Sequence, residues 1–157
     1  MLGANIIVSS PPGGVFNEGT IGDTSKPGTM MQMAHNTPFI GAEPVWISAN
    51  VGTNGYVGAS AILLEDHYQG KLATDAYVAN TRGFIYFPRV GEEFNMACDV
   101  GAGTSNTITQ GDLLMLNSNT GVLIPLSGDP AGPIFQAMET LTLVAAGTLC
   151  WCKLLSI

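Results

Sequence analysis

Apolar and polar positions alternate most regularly in the second half of the chain. Glu93-Phe94-Asn95-Met96-Ala97-Cys98-Asp99-Val100 puts Phe94, Met96, Cys98 and Val100 on one face and Glu93, Asn95, Ala97 and Asp99 on the other. This period of two predicts a half-buried strand. Thr107 to Leu116 is a β-rich run, Asn117 to Gly121 carries turn chemistry, and Val122 to Leu126 is a second apolar run. The three together predict a strand, a tight loop and a strand, with Gly121 taking the positive φ that closes the loop. Asp112 is the one charge in that segment, so both strands are expected to pack on protein. Ile134 to Glu139 and Thr148 to Leu155 read as further strands.

Upstream, Glu43 to Val51 reads as a strand entered through Pro44, and Tyr56 to Leu64 as a small-residue apolar run. Ala76 to Ala79 is a short extended candidate, and Gly83 to Val90 is an aromatic strand whose Pro88 suggests a sheet edge or a bulge. Helix is confined to one or two turns around Glu65 to Gly70 or Lys71 to Ala76. The first forty residues hold neither a period of 2 nor one of 3.6 and are dense in Gly, Pro, Ser, Thr, Asn and Met. Such a segment predicts no core of its own. Its apolar spots favour an arm ordered on a neighbour, and 25 extended residues would reach roughly 80 Å. Removing residues 1–33 is then expected to leave a folded body.

Many short strands joined by Gly-rich turns predict an all-β fold, a small β-barrel or sandwich with at most one or two short helices. The expected organisation is an extended N-terminal arm over residues 1–38 and a β domain over 39–157, within which 39–82 reads as an inserted or variant subregion.

Charged residues make up 11% of the 157 and apolar types 46%, where an average soluble domain carries roughly 25% charged residues. So uncharged a surface suits permanent burial against other subunits, because obligate interfaces resemble a core cut in half. Twelve acidic and five scattered basic residues give a net charge of −7. Without a Lys/Arg stripe, direct nucleic-acid binding and an electrostatic grip on a membrane are both disfavoured. The first ten residues lack a positive n-region and a signal core, and no apolar run is long enough to span a membrane. Synthesis in the cytoplasm is expected.

The candidate chemistry is sparse. Glu65, Asp66 and His67 are the best metal-ligand cluster, but neighbours on a strand point apart and His35 is the one other imidazole. Glu92 and Glu93 adjoin in sequence and do not face each other, and Gly101 to Asn106 lacks the third glycine and the helix of a phosphate-cradling loop. Trp46, Trp151, Phe84, Tyr86 and Phe87 sit inside strand candidates and read as core rather than as a stacking platform. Cys98, Cys150 and Cys152 are an odd set; Cys150 and Cys152 share a strand face about 7 Å apart, too far for an undistorted bridge, and read as buried free thiols. No catalytic residue, cofactor site or metal site is expected, and an enzyme would require a pocket uniting His67 with Glu65 or Asp66.

In order, Val90 to Ala97, Ile108 to Leu116 with Gly121 to Pro125, Ile134 to Glu139 and Ala145 to Trp151 resemble the cement or head-decoration proteins of tailed bacteriophages. That family is similar in its Gly-acid turn into a strand, its Gly-Asp-x-Leu hairpin with a Gly-x-x-x-Pro return, its Ala-x-Glu strand and its Ala-Gly lead into the last strand. The resemblance covers about half of the chain. It implies a small β-barrel or β-tulip-like domain, and a homotrimer binding the major capsid protein on the outer surface of the virion. The trimer would sit at three-fold and quasi-three-fold sites and stabilise the shell by bridging subunits. The family's terminal arm pairs with capsid strands, which makes Ile6, Ile7, Val8 and Phe16 the candidate capsid contacts. A carbohydrate- or receptor-binding β module of a phage tail or fibre is the alternative.

Overall fold

The computed structural model describes residues 6–9, 15–34, 38–49, 61–66, 72–99, 106–117, 120–130 and 132–157. Among them the chain is all-β, with no helix. In chain order the strands are β1 Ile7–Ser9, β2 Val15–Ile21, β3 Met30–Met33, β4 Phe39–Ile40, β5 Glu43–Ser48, β6 Ala61–Leu63 and β7 Thr81–Phe87. They continue with β8 Glu93–Cys98, β9 Thr107–Ile108, β10 Leu113–Leu116, β11 Leu123–Pro125, β12 Ile134–Ala137, β13 Leu141–Thr142 and β14 Thr148–Ser156.

These strands close into two small barrels. In the first, β2, β7, β6, β3 and β5 follow one another and β5 returns to β2. In the second, β8, β14, β12, β10 and β11 do the same and β11 returns to β8. Numbered within its own barrel, each ring runs first, fifth, fourth, second, third and back to first. In each, first and third strands are parallel and every other neighbour is antiparallel. The parallel seam even ends alike: Gly22, just past β2, donates its N–H to Trp46 O, and Asp99, just past β8, donates to Leu123 O. The chain thus uses one connectivity twice.

Side chains explain why the barrels adhere. One buried cluster (Ile21, Met31, Trp46, Ala61, Leu63, Tyr77, Ile85) fills the first barrel. A larger one joins Met30, Ala49, Ile62 and Tyr86 of the first barrel to Phe94, Met96, Leu114, Phe135 and Leu154 of the second. β3 at Met30–Met31, β6 at Ala61–Leu63 and β7 at Ile85–Tyr86 are therefore covered on both faces, with Met30 against the second barrel and Met31 inside its own. Strands buried on both sides read as unbroken apolar runs rather than as alternation. Backbone bonds cross the junction as well, from Met30 N to Gly121 O and from Ala97 N to Gly28 O.

Several expectations need correction. Residues 15–34 are not an arm, since β2 is hydrogen-bonded along its length to β7 and β3 lies between β5 and β6. Deleting residues 1–33 would open the first barrel. The 39–82 stretch is no insertion, because β5 and β6 are two of that barrel's five strands. Pro88 marks neither an edge nor a bulge: β7 has neighbours on both sides and ends at Phe87, one residue before it. The 76–79 candidate contributes only the bridge of Tyr77 to Ser25, while 50–60 and 67–71 lie outside the described residues.

The strand expectations downstream hold. β10 and β11 pair as a hairpin, Asn117 N bonds Val122 O across it, and Gly121 has φ +67°. Its packing differs in one respect: Leu114 and Leu116 are buried, whereas Leu113 is exposed. The hairpin thus covers one face only.

Candidate functional site

β1 lies along β8, with Ile7 opposite Phe94. Ile6 is fully buried in the shared core, and its N–H meets both Glu65 carboxylate oxygens at 3.3 and 3.2 Å. Its side chain thus presents no exposed apolar surface for a partner to cover. Ile7 is half-buried against the same core. The side chain of Val8 lies outside the described residues. Of the three whose side chains are described, Phe16 alone is well exposed, at 59%, with its ring 5.1 Å from that of Tyr86.

The exposed apolar side chains include Phe39 and Ile40, at 52% and 50%. They form β4, which among the described residues pairs with β5 alone and is the outermost strand of its sheet. A sheet edge carrying bare apolar side chains is a template for another strand or surface. Val78, Val90, Val144 and Ile157 are exposed too.

The carboxylates serve the framework. Glu92 is buried, accepting the Tyr86 hydroxyl at 2.7 Å and Arg89 N–H at 2.8 Å. Glu93 accepts the indole N–H of Trp151 at 3.0 Å. They do not form a carboxylate pair. Glu65 is engaged by Ile6, Asp66 is buried, and His67 and His35 lie outside the described residues, as does 101–105 of the Gly101 to Asn106 loop. Burial, with Asp66 and Glu65 adding to it, pushes the phenol of Tyr77 above its ordinary pKa, and its hydroxyl donates to Leu64 O at 2.9 Å.

The aromatics do not make a binding platform. Trp46 and Tyr86 are buried, and Phe84, Phe87 and Trp151 are half-buried. The indole N–H of Trp46 has no oxygen partner among the described residues; its ring stands edge-on to Phe87 with centroids 5.6 Å apart and planes at 71°. A shallow cleft of about 180 Å³ lies beside Ser25, Lys26 and Thr29, and another of about 170 Å³ beside Asp99 and Asn106.

One constellation was missed in the sequence. Antiparallel pairing sets Cys150 opposite Met96 and Cys152 opposite Phe94, which brings Cys98 to the same inward face. The three Sγ atoms lie within 4.8 Å of one another, and all three residues are fully buried as free thiols. Each S–H also has a carbonyl in reach: Met96 O from Cys98 at 3.4 Å, Cys150 O from Cys152 at 3.3 Å, and Trp151 O from Cys150 at 3.7 Å. Donation from Cys152 and then Cys98 pulls the Cys150 thiol below its ordinary range. Interaction with Cys150, together with burial, pushes Cys98 and Cys152 up. The signal for Cys98 was its place on the apolar face of an alternating strand, but only the register of β8 against β14 reveals its neighbours.

Compared with protein-family models and with curated proteins, the chain matches neither.

Proposed function

We propose that this protein is a structural virion component, a decoration protein that assembles as a homotrimer on the outside of a capsid and stabilises it. It would occupy three-fold and quasi-three-fold positions and bridge neighbouring copies of the major capsid protein. The observation that carries the reading is β4, an outermost strand whose Phe39 and Ile40 are half exposed on a chain with 11% charged residues. Covering such side chains releases about 25 cal/mol for each Å² of apolar surface removed from water. Strand addition at the edge supplies main-chain hydrogen bonds to the same contact. Phe16, Phe39 and Ile40 are accordingly the contact residues, in place of Ile6.

The mechanism is passive. A trimer holding several capsid subunits turns weak contacts into slow release through effective concentration. Because it binds the assembled lattice and not its separated parts, it stabilises the lattice by mass action. No catalytic step is involved.

Light scattering at micromolar concentration should give a trimer, and the protein should co-sediment with expanded capsids. The double variant Phe39→Lys, Ile40→Lys should keep its thermal transition and lose capsid occupancy. A monomer that ignores capsids sinks the proposal, and a monomer whose melting temperature rises with a glycan would move the reading to a receptor-binding module.

A further inference from the structure

We infer that Cys98, Cys150 and Cys152 form a closed three-thiolate site for a soft, thiophilic divalent cation of the zinc–cadmium class. The site is independent of the role proposed for β4, since it lies in the interior of the second barrel.

Three features carry the inference. The donors are thiols alone, and sulfur ligands select soft ions over magnesium or calcium. They converge: an equilateral triangle of sulfurs at the 4.8 Å limit has its centre about 2.8 Å from each corner, and zinc–sulfur bonds of about 2.3 Å require each sulfur to move inward by at most about half an ångström. Cadmium, with longer bonds, requires less. The ligands also come from adjacent strands of a closed barrel, β8 and β14, whose pairing runs unbroken from Thr148–Cys98 to Lys153–Glu93. A metal there would pin the barrel's first strand to its last.

Competing uses of the thiols fit less well. Cys98 stands opposite Thr148, not opposite Cys150. A bridge between those cysteines would have to span a diagonal of roughly 7 Å between Cα atoms, beyond relaxed disulfide geometry. Cys150 and Cys152, two apart on one strand, face the same obstacle.

Binding is an exchange without redox change. Three S–H bonds break, three metal–sulfur bonds form, three protons leave to solvent, and the complex keeps one negative charge. A monovalent ion would leave two such charges in an apolar interior, which ranks divalent ions ahead of Cu(I). All three side chains are inaccessible in the folded chain, so the ion must enter as the barrel closes, as in closed structural sites where metal binding is part of folding.

The test uses the full chain produced in medium supplemented with Zn(II) or Cd(II), in separate preparations, then freed of loose metal by gel filtration with a weak chelator. Elemental analysis should find one ion per chain. The Cd(II) form should show an ultraviolet sulfur-to-metal charge-transfer band, and either form should melt several degrees above metal-free protein. Cys98→Ala and Cys150→Ala should each lose the ion, with an affinity drop on the order of a hundredfold or more. A folded wild-type protein that carries no stoichiometric metal from either medium overturns the inference. So does metal retained without a thiolate band, or retained equally by folded single variants. Should both variants fail to fold, the wild-type stoichiometry and band decide alone.

Discussion

The two barrels share one wiring and differ in how their strands meet water. In the second, β8, β10, β12 and β14 each turn alternate residues inward: Phe94, Met96 and Cys98; Leu114 and Leu116; Phe135 and Ala137; Cys150, Cys152 and Leu154. Their other faces are largely half-buried or exposed. In the first, β3, β6 and β7 are sandwiched between their own interior and the neighbouring barrel. Identical connectivity therefore places different demands on sequence. A strand with one dry face needs alternation, and a strand with two needs an unbroken apolar run.

The contrast can be broken experimentally, most severely at the shared core. Phe135→Ala, which removes a fully buried ring from the second barrel, should cost about 3–5 kcal/mol. Because the larger cluster spans both barrels, the loss should shift one common transition. With Trp151→Phe leaving Trp46 to report on the first barrel and Trp46→Phe leaving Trp151 to report on the second, denaturant curves should coincide; separated midpoints would show that the barrels unfold independently.

Next in size is Gly121→Ala. The added Cβ would run into Met30 O, Thr29 Cγ2 and Ala49 N at a backbone φ of +67°, so clash and strain together should cost on the order of 2–3 kcal/mol. Gly41→Ala is the control. It has a similar φ of +63° and nothing within 4 Å, and should cost only about 1 kcal/mol. Equal losses would mean that the hairpin does not bear on β3. Tyr86→Phe removes the hydroxyl that satisfies buried Glu92 and should lower stability by about 1–2 kcal/mol in urea titration. Smallest is Arg82→Ala. Its ion pair with Glu18 joins β2 to β7 on the surface, with 60% and 44% of the side chains exposed, and its loss should cost no more than about 1 kcal/mol and less in high salt.

The same contrast governs what could be read from the chain. Period-two patterning located β8, and turn chemistry located β10, β11 and the positive φ of Gly121, because those signals are local. β3 was illegible for a definite reason: Met30 and Met31 are both fully buried on opposite faces, so the pattern that marks a half-exposed strand never forms. β2, with Gly19 and Thr20 buried beside exposed Asn17 and Glu18, takes its order from β7, sixty or more residues away. Taken as a tail, that region also suggested Ile6 as a contact, although Ile6 packs in the core. The thiol triangle was legible as far as its two-residue pair on β14. The third sulfur depends on cross-strand register, which no short window contains.

The pairing of β1 with β8 also sets a timetable. Ile7 leaves the ribosome more than eighty residues ahead of its partner Phe94, and at about 5–20 residues per second that is a wait on the order of ten seconds. Throughout it, Ile7 has no strand to pair with, and the nascent polypeptide carries that unpaired segment past whatever chaperone or sister chain is at hand. Crowded polysomes would then offer β1 the β8 of a neighbouring copy before its own is made.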